Sequence, residues 1–290
     1  MTTTRPVALV TGATVGIGRL AAAALTKAGY DVVGTGRRTA GIEPPAGVTL
    51  MDLDVRSAES VDETVRRVIA RFGRIDVLVN NAGVGLAGAT EETSLTQDQQ
   101  IFDINVFGVM RMTKSVLPHM RAQHHGRIIN VSSIFGLIPA PFMATYAATK
   151  HAIEGYTESV DHEIREFGVR AVLVEPAGTR TGFDDNTAQA DRPLEAYASS
   201  RRLVGDVVAE AVNDGDDPAL VAAAIVAAAT DTAPKLRYPA SPRARNLATV
   251  RRLVPARMFD KQIRKFNKLP LRAGGDRTSK KETARERLPR

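Results

Sequence analysis

One alternation constrains this chain more than any other feature. Short apolar runs at 7–10, 32–34, 48–51, 77–79, 127–131 and 169–174 are separated by helix-length segments. In those segments apolar residues recur at helical spacing, as Val61, Val65, Val68 and Ile69 do. Continuous hydrophobicity in so short a run marks a strand buried on both faces, and helices between such strands imply parallel crossovers. The expected fold is therefore α/β: a single Rossmann-type doubly wound parallel sheet with helices on both faces. In such a sheet ligands bind beyond the carboxyl ends of the strands, where the strand order reverses.

The pattern changes towards the carboxyl end. Residues 176–193, rich in Gly, Thr, Asp and Asn, read as a lid or an irregular segment. Helices are expected at 194–212 and 218–229, then a last strand at 236–239. A basic stretch follows, its Leu247, Val250, Leu253, Met258, Phe259, Ile263 and Phe266 spaced as an amphipathic helix interrupted at Pro255. Three parts are expected: a dinucleotide-binding and catalytic domain over 1–242, a basic helical extension packed on it over 243–271, and a disordered basic tail over 272–290.

Charge follows the same division. Residues 235–290 hold 18 Lys/Arg against 4 Asp/Glu, leaving 21 against 28 in residues 1–234. A basic tail on an acidic body is compatible with an anionic partner. The expectation is a solvated tail that binds no nucleic acid, with peripheral membrane contact as the alternative. The opening residues run into a strand without a long apolar core, and 219–229 is too short to span a bilayer, so a cytoplasmic protein is expected.

Cysteine is absent, which removes disulfides, thiolate nucleophiles and thiolate-bound metals. The five histidines show no metal-site spacing, the adjacent His124 and His125 reading as a turn before a strand. There is no G-x-x-x-x-G-K-[ST] and no G-x-S-x-G, so neither a P-loop nor an α/β-hydrolase elbow is present.

The first strand ends in Thr11-Gly12-Ala13-Thr14-Val15-Gly16-Ile17-Gly18, followed by a helical segment. Glycines there let backbone amides approach a pyrophosphate, while the helix N-terminus supplies partial positive charge. The second strand ends Gly36-Arg37-Arg38, where an acidic residue would favour NAD and an arginine the 2′-phosphate of NADP. A charge-assisted hydrogen bond contributes about 1.5–3 kcal/mol, so NADP(H) is expected in preference to NAD(H).

Tyr146 and Lys150 stand four residues apart and hence on one helical face. An ammonium about 4 Å from the phenol contributes around 4 kcal/mol at an effective dielectric near 20. That is equivalent to about three pKa units and would bring the phenol towards 7, where a general acid/base works well.

Thr11-Gly12-x-x-x-Gly16-x-Gly18, Asn80-Asn81-Ala82-Gly83, Val131-Ser132-Ser133 and Tyr146-x-x-x-Lys150, in this order and spacing, resemble the short-chain dehydrogenase/reductase family across roughly residues 5–270. The resemblance implies that Tyr146 exchanges a proton with the substrate oxygen. Lys150 would lower its pKa and hold the nicotinamide ribose, and Ser133, thirteen residues before Tyr146, would orient the substrate. Asn105, in the helix expected over 97–120, matches an asparagine that positions a relay water. Asp54 and Val55 match an adenine-contacting pair, and Asn81, Ala82 and Gly83 match the turn behind the nicotinamide ribose. Thr181 matches a threonine that bonds the carboxamide. One departure is Pro176-Ala177-Gly178-Thr179 where the family has Pro-Gly, which suggests a differently shaped loop, since glycine alone takes positive φ readily.

The resemblance further implies a pocket of residues 84–87, 134–143 and the lid after Gly178. Phe135, Leu137, Ile138, Phe142 and Met143 suit a lipophilic ketone, aldehyde or secondary alcohol. No metal is required, and a homodimer or homotetramer is implied. The expected function is NADP(H)-dependent carbonyl–alcohol interconversion; the alternative is a non-catalytic NADP(H) sensor that uses its basic tail on a partner.

Overall fold

The computed structural model describes residues 5–183 and 186–271. Seven parallel strands form one sheet in the order β3-β2-β1-β4-β6-β7-β9. They are β1 (Val7–Val10), β2 (Asp31–Gly36), β3 (Val48–Asp52), β4 (Val77–Asn80), β6 (Gly126–Val131), β7 (Val169–Glu175) and β9 (Arg237–Pro239). Every residue of β1 and β4 is buried, as their unbroken hydrophobicity requires in a sheet covered on both faces. The strand order reverses between β1 and β4, which pair in register Leu9 to Leu78.

One face is covered by α2 (Ala58–Phe72), α4 (Gly108–Gln123) and α5 (Ala144–Ile164), through a core that includes Val61, Val65, Met112, Val116 and Val160. The other is covered by α1 (Gly16–Lys27) and α7 (Pro218–Thr230), where Ala21, Leu25, Val221 and Ile225 meet the sheet. Helix α2 shows why such segments start and stop where they do. The Ser57 hydroxyl accepts the Ser60 N–H at its start, and Gly73 closes its end at φ 78°. His124, at φ 51°, closes α4 in the same left-handed conformation.

The helix expected over 97–120 is three pieces: α3 (Leu95–Phe102), a π-helical turn (Asp103–Phe107) and α4. Gly108, directly after the turn, permits a close approach, since a Cβ there would stand 2.9 Å from Val55 Cγ2.

The stretch read as irregular also holds a strand, β8 (Thr187–Gln189), which pairs in parallel with β5 (Gly85–Ala87). Three-residue strands are too short to show periodicity, so neither was visible in the sequence. Buried Glu92 fastens this region. Its carboxylate accepts the N–H groups of Ala89 (2.9 Å) and Leu194 (2.8 Å) and meets Arg201, tying the start of α6 (Glu195–Asn213) to the β5 side.

The basic segment forms α8 (Pro242–Leu253) and α9 (Ala256–Phe266), separated at Pro255. Phe259 is the buried anchor of α9, packing with Ile134 and Ile138. The tail read as disordered, 272–290, lies outside the described residues. Among those that are described, no helix is long and apolar enough to cross a membrane.

Candidate active site

A crevice of about 1380 Å³ opens at the carboxyl ends of the strands, across the β1/β4 reversal. Its nucleotide side is made largely of backbone. Gly12 and Gly16 take φ of 65° and 53°, a region where only glycine is at ease. Gly18 is excluded from carrying a side chain for a different reason, because a Cβ there would stand 2.2 Å from the Gly12 carbonyl oxygen. Val15 precedes α1 with no side-chain cap and the first turn holds no acidic residue, so the N–H groups of a helix start that lines the crevice have no side-chain partner from the cap. That cradle fits a pyrophosphate. Thr14, Gly16 and Ile17 line it, while Gly18 serves it from behind.

Two side chains, one just past β1 and one just past β4, brace the turn. Thr11 Oγ1 accepts the N–H groups of Asn81 and Ala82, both at 3.0 Å. Asn81 Nδ2 donates to the carbonyls of Thr11 (2.9 Å) and Gly12 (3.1 Å). Asn81, Ala82 and Gly83 also line the crevice.

The two arginines after β2 are not equivalent. Arg37 lines the crevice; Arg38 is exposed and is absent from its wall. Asp54 and Val55 line it as well, joined by Arg56, whose guanidinium forks onto Asp54 at 2.6–3.2 Å. That hydrogen-bonded pair holds the Asp54 carboxyl below the usual carboxylate range. Arg56 went unnoticed in the sequence, although its place two residues after Asp54 in the same turn was a usable signal.

Tyr146 and Lys150 do lie on one face of α5 and both line the crevice. The expected acidification of the phenol is not what the structure shows. Lys150 Nζ donates to the Val131 carbonyl at 3.0 Å and sits 5.7 Å from the centre of the Tyr146 ring. Burial prevails: it pushes the Tyr146 phenol up to about 12, against the hydrogen bond from Ser133, and brings the Lys150 ammonium down to about 8, against the pull of Glu154. The rings of Phe135 and Phe183, at 6.4 and 5.7 Å, enclose the phenol. Ser133 is thus the serine whose hydroxyl meets Tyr146, whereas Ser132 faces Gly136.

Asn105 stands in the π-helical turn, buried behind the crevice rather than on its wall. Its amide donates to Val84 O (2.9 Å) and Thr149 Oγ1 (3.2 Å) and accepts the Val84 N–H (2.9 Å). Thr149 in turn donates to the Tyr146 carbonyl at 2.7 Å, so Asn105 pins the β4–β5 loop to the helix that carries the phenol.

Thr181 lines the crevice opposite Gly16. The Ala177 departure is absorbed without strain, since no residue of 176–179 takes positive φ. Gly178 is needed instead for close approach, a Cβ there falling 2.7 Å from the Ala211 carbonyl.

Beyond Tyr146 the crevice becomes apolar. Phe135, Ile138 and Met143 line it as expected, but Leu137 and Phe142 do not. The opposite wall, which the sequence did not place here, is the basic extension: Leu247, Val250, Val254, Met258, Phe259 and Ile263. A second group also missed lies beneath Lys150, where Glu154 and Glu175 share Arg237 (2.6 and 3.4 Å).

Comparison with known proteins accords with this geometry. The 3-ketodihydrosphingosine reductase of Bacteroides thetaiotaomicron is 34% identical over 261 residues, covering 89% of this chain and 96% of that one. A short-chain dehydrogenase from Streptomyces avermitilis has a TM-score of 0.77 at 32% identity, over 99% of this chain and 100% of that one. ElxO with NADP bound has a TM-score of 0.68 at 27% identity, over 81% and 98%. Residues 6–192 match the family described as short chain dehydrogenase. That match runs through the glycine turn and through Tyr146 and Lys150, and it places the chain in the short-chain dehydrogenase/reductase family of nicotinamide-dependent oxidoreductases.

Proposed function

We propose that the protein is an NADP(H)-dependent reductase of lipophilic ketones or aldehydes, able to run in reverse as an alcohol dehydrogenase. The observation that carries this is the position of Tyr146, buried at the junction of the backbone-built cradle and the apolar chamber, with Ser133 on its hydroxyl and Lys150 beside its ring.

NADPH, when bound, supplies the hydride to the carbonyl carbon. A phenol pushed up to about 12 is fully protonated near neutrality, so Tyr146 is poised as the acid that protonates the substrate oxygen. Ser133 holds that oxygen against the phenol. Lys150, anchored on Val131, stabilises the negative charge that develops on the tyrosine oxygen as the proton leaves. Asn105 acts as a positioning residue through Val84 and Thr149, and it is the group on which a relay water is proposed.

Cofactor preference is assigned to Arg37, the guanidinium that reaches the crevice. The lipophilic substrate is supported by the chamber lining and by a relative whose name gives the ketone of a lipid.

A Tyr146→Phe variant tests the proposal. Removing a general acid slows turnover about 10²- to 10⁴-fold, so NADPH consumption with a lipophilic ketone falls by that factor while NADPH binding, followed by nicotinamide fluorescence, is unchanged. A wild-type protein that binds NADPH tightly but turns over no ketone, aldehyde or alcohol supports the sensor instead.

A further inference from the structure

Helix α9 divides sharply into two faces. At about 100° per residue, Arg257, Lys261, Arg264 and Lys265 fall within an arc of about 100°, and Met258, Phe259, Gln262, Ile263 and Phe266 fill the arc beside it. Only part of the apolar arc is used by the fold. Phe259 and Ile263 turn inward on Ile134 and Ile138. Met258 and Phe266 remain 58% and 59% exposed at the crevice rim, and Leu253, at the end of α8, is 75% exposed.

The charge on this cap is one-sided. Residues 242–268 carry nine Lys/Arg and a single acidic residue, Asp260. Among the described residues, none of the nine forms an ion pair with a carboxylate of the protein.

We infer that the α8–α9 cap docks on an anionic lipid surface, with the mouth of the substrate chamber facing the bilayer. A helix with a cationic face beside an exposed apolar face matches a membrane interface, where Lys and Arg meet anionic headgroups and the apolar side chains enter the acyl boundary. Nucleic acid would satisfy the cations but leave Leu253, Met258 and Phe266 without a partner. A second copy of the chain docked face to face would oppose two clusters of nine cations. The bilayer alone accommodates both halves of the surface. It also supplies lipophilic molecules where Met258 and Phe266 form part of the chamber wall, a consequence that rests on the function proposed above; the docking does not.

Sedimentation of the full-length protein with large vesicles is the test. Equimolar phosphatidylcholine–phosphatidylglycerol vesicles are expected to carry the protein down and pure phosphatidylcholine vesicles to leave it in solution, with binding lost as salt is raised. At about 1 kcal/mol per lysine near such a surface, the double variant Lys261→Gln/Lys265→Gln weakens binding by on the order of 30-fold. Its turnover of a short, water-soluble ketone is unchanged. Leu253→Ser, outside the chamber lining, weakens binding about tenfold at an unchanged melting temperature.

Equal sedimentation with both vesicle types overturns the inference, as does wild-type affinity in both variants, which would put the determinant outside this cap. Tighter binding to a duplex oligonucleotide that Leu253→Ser leaves intact would also overturn it, as would concentration-dependent self-association abolished by the same change. A protein that binds the vesicles but reduces no carbonyl sinks only the proposed activity.

Discussion

The two walls of the crevice are built from different material. The nucleotide wall is backbone: glycines, a helix N-terminus and a turn braced by Thr11 and Asn81. The substrate wall is side chain, assembled from Phe135 and Ile138, Phe183, and the apolar face of α8 and α9. Backbone at a close approach tolerates no added atom, while apolar side chains can be exchanged provided volume is kept. On the proposed function, the first wall holds one ligand type and the second sets substrate range.

Adding a single side chain to the first wall should produce the largest effect. A Cβ on Gly18 would meet the Gly12 carbonyl carbon at 2.8 Å as well as its oxygen, so α1 must move off the turn. Gly18→Val is expected to lower NADPH affinity more than about 100-fold, overpacking alone costing about 1–3 kcal/mol before the cradle is distorted. Titration of nicotinamide fluorescence measures it, and near-normal affinity would show that the wall is more pliable than its geometry implies.

Next comes the guanidinium on that wall to which the cofactor preference is assigned. Arg37→Ala should weaken NADPH binding about 10- to 100-fold, the loss of a charge-assisted bond of about 1.5–3 kcal/mol. NADH binding should be unaffected. Arg38→Ala should change neither, because Arg38 is outside the crevice lining. If the two variants behave alike, the distinction between them fails.

On the second wall the expected effect is smaller and confined to substrate. Phe259→Ala opens the seam between α9 and Ile134 and Ile138. KM for a long-chain ketone should rise about tenfold, or roughly 1.4 kcal/mol, with KM for a short ketone, kcat and NADPH affinity unchanged. A parallel loss of NADPH affinity would mean that the walls are one cooperative unit.

The same contrast explains what was legible in the sequence. Strands buried on both faces and glycines at a turn leave local signatures, so six strands and the cradle could be read from residues near one another. The spacing of Tyr146 and Lys150 revealed a shared helical face, but not its dryness. Phe135 and Phe183, which enclose the phenol, are 11 and 37 positions away, and the resulting burial reverses the expected direction of the tyrosine shift. Likewise, the periodicity of α9 announced an apolar face without saying what it covers. Arg37 and Arg38 could have been separated beforehand, because successive residues at the end of a strand point to opposite sides.

The smallest expected effect lies where neither wall contacts a ligand. Behind Lys150, Arg237 faces three carboxylates: Glu154 and Glu158 at 2.6 Å and Glu175 at 3.4 Å. Burial, reinforced by the charge of Glu154, pushes the Glu175 carboxyl from 4.5 up to about 7. Between those values the folded chain binds more protons than the unfolded one, so stability falls as pH rises across this window. Lys150 acts oppositely. Its folded value of about 8 lies below the ordinary 10.5, so stability rises with pH between them. The melting temperature of the wild type should thus dip near neutrality. In Glu175→Gln the fall between about pH 5 and 7 should shrink by a few degrees, while the rise above about pH 8 persists. An unchanged fall would move the titrating group away from Glu175, and loss of the rise as well would show that the buried acids and the Lys150 ammonium titrate as one unit.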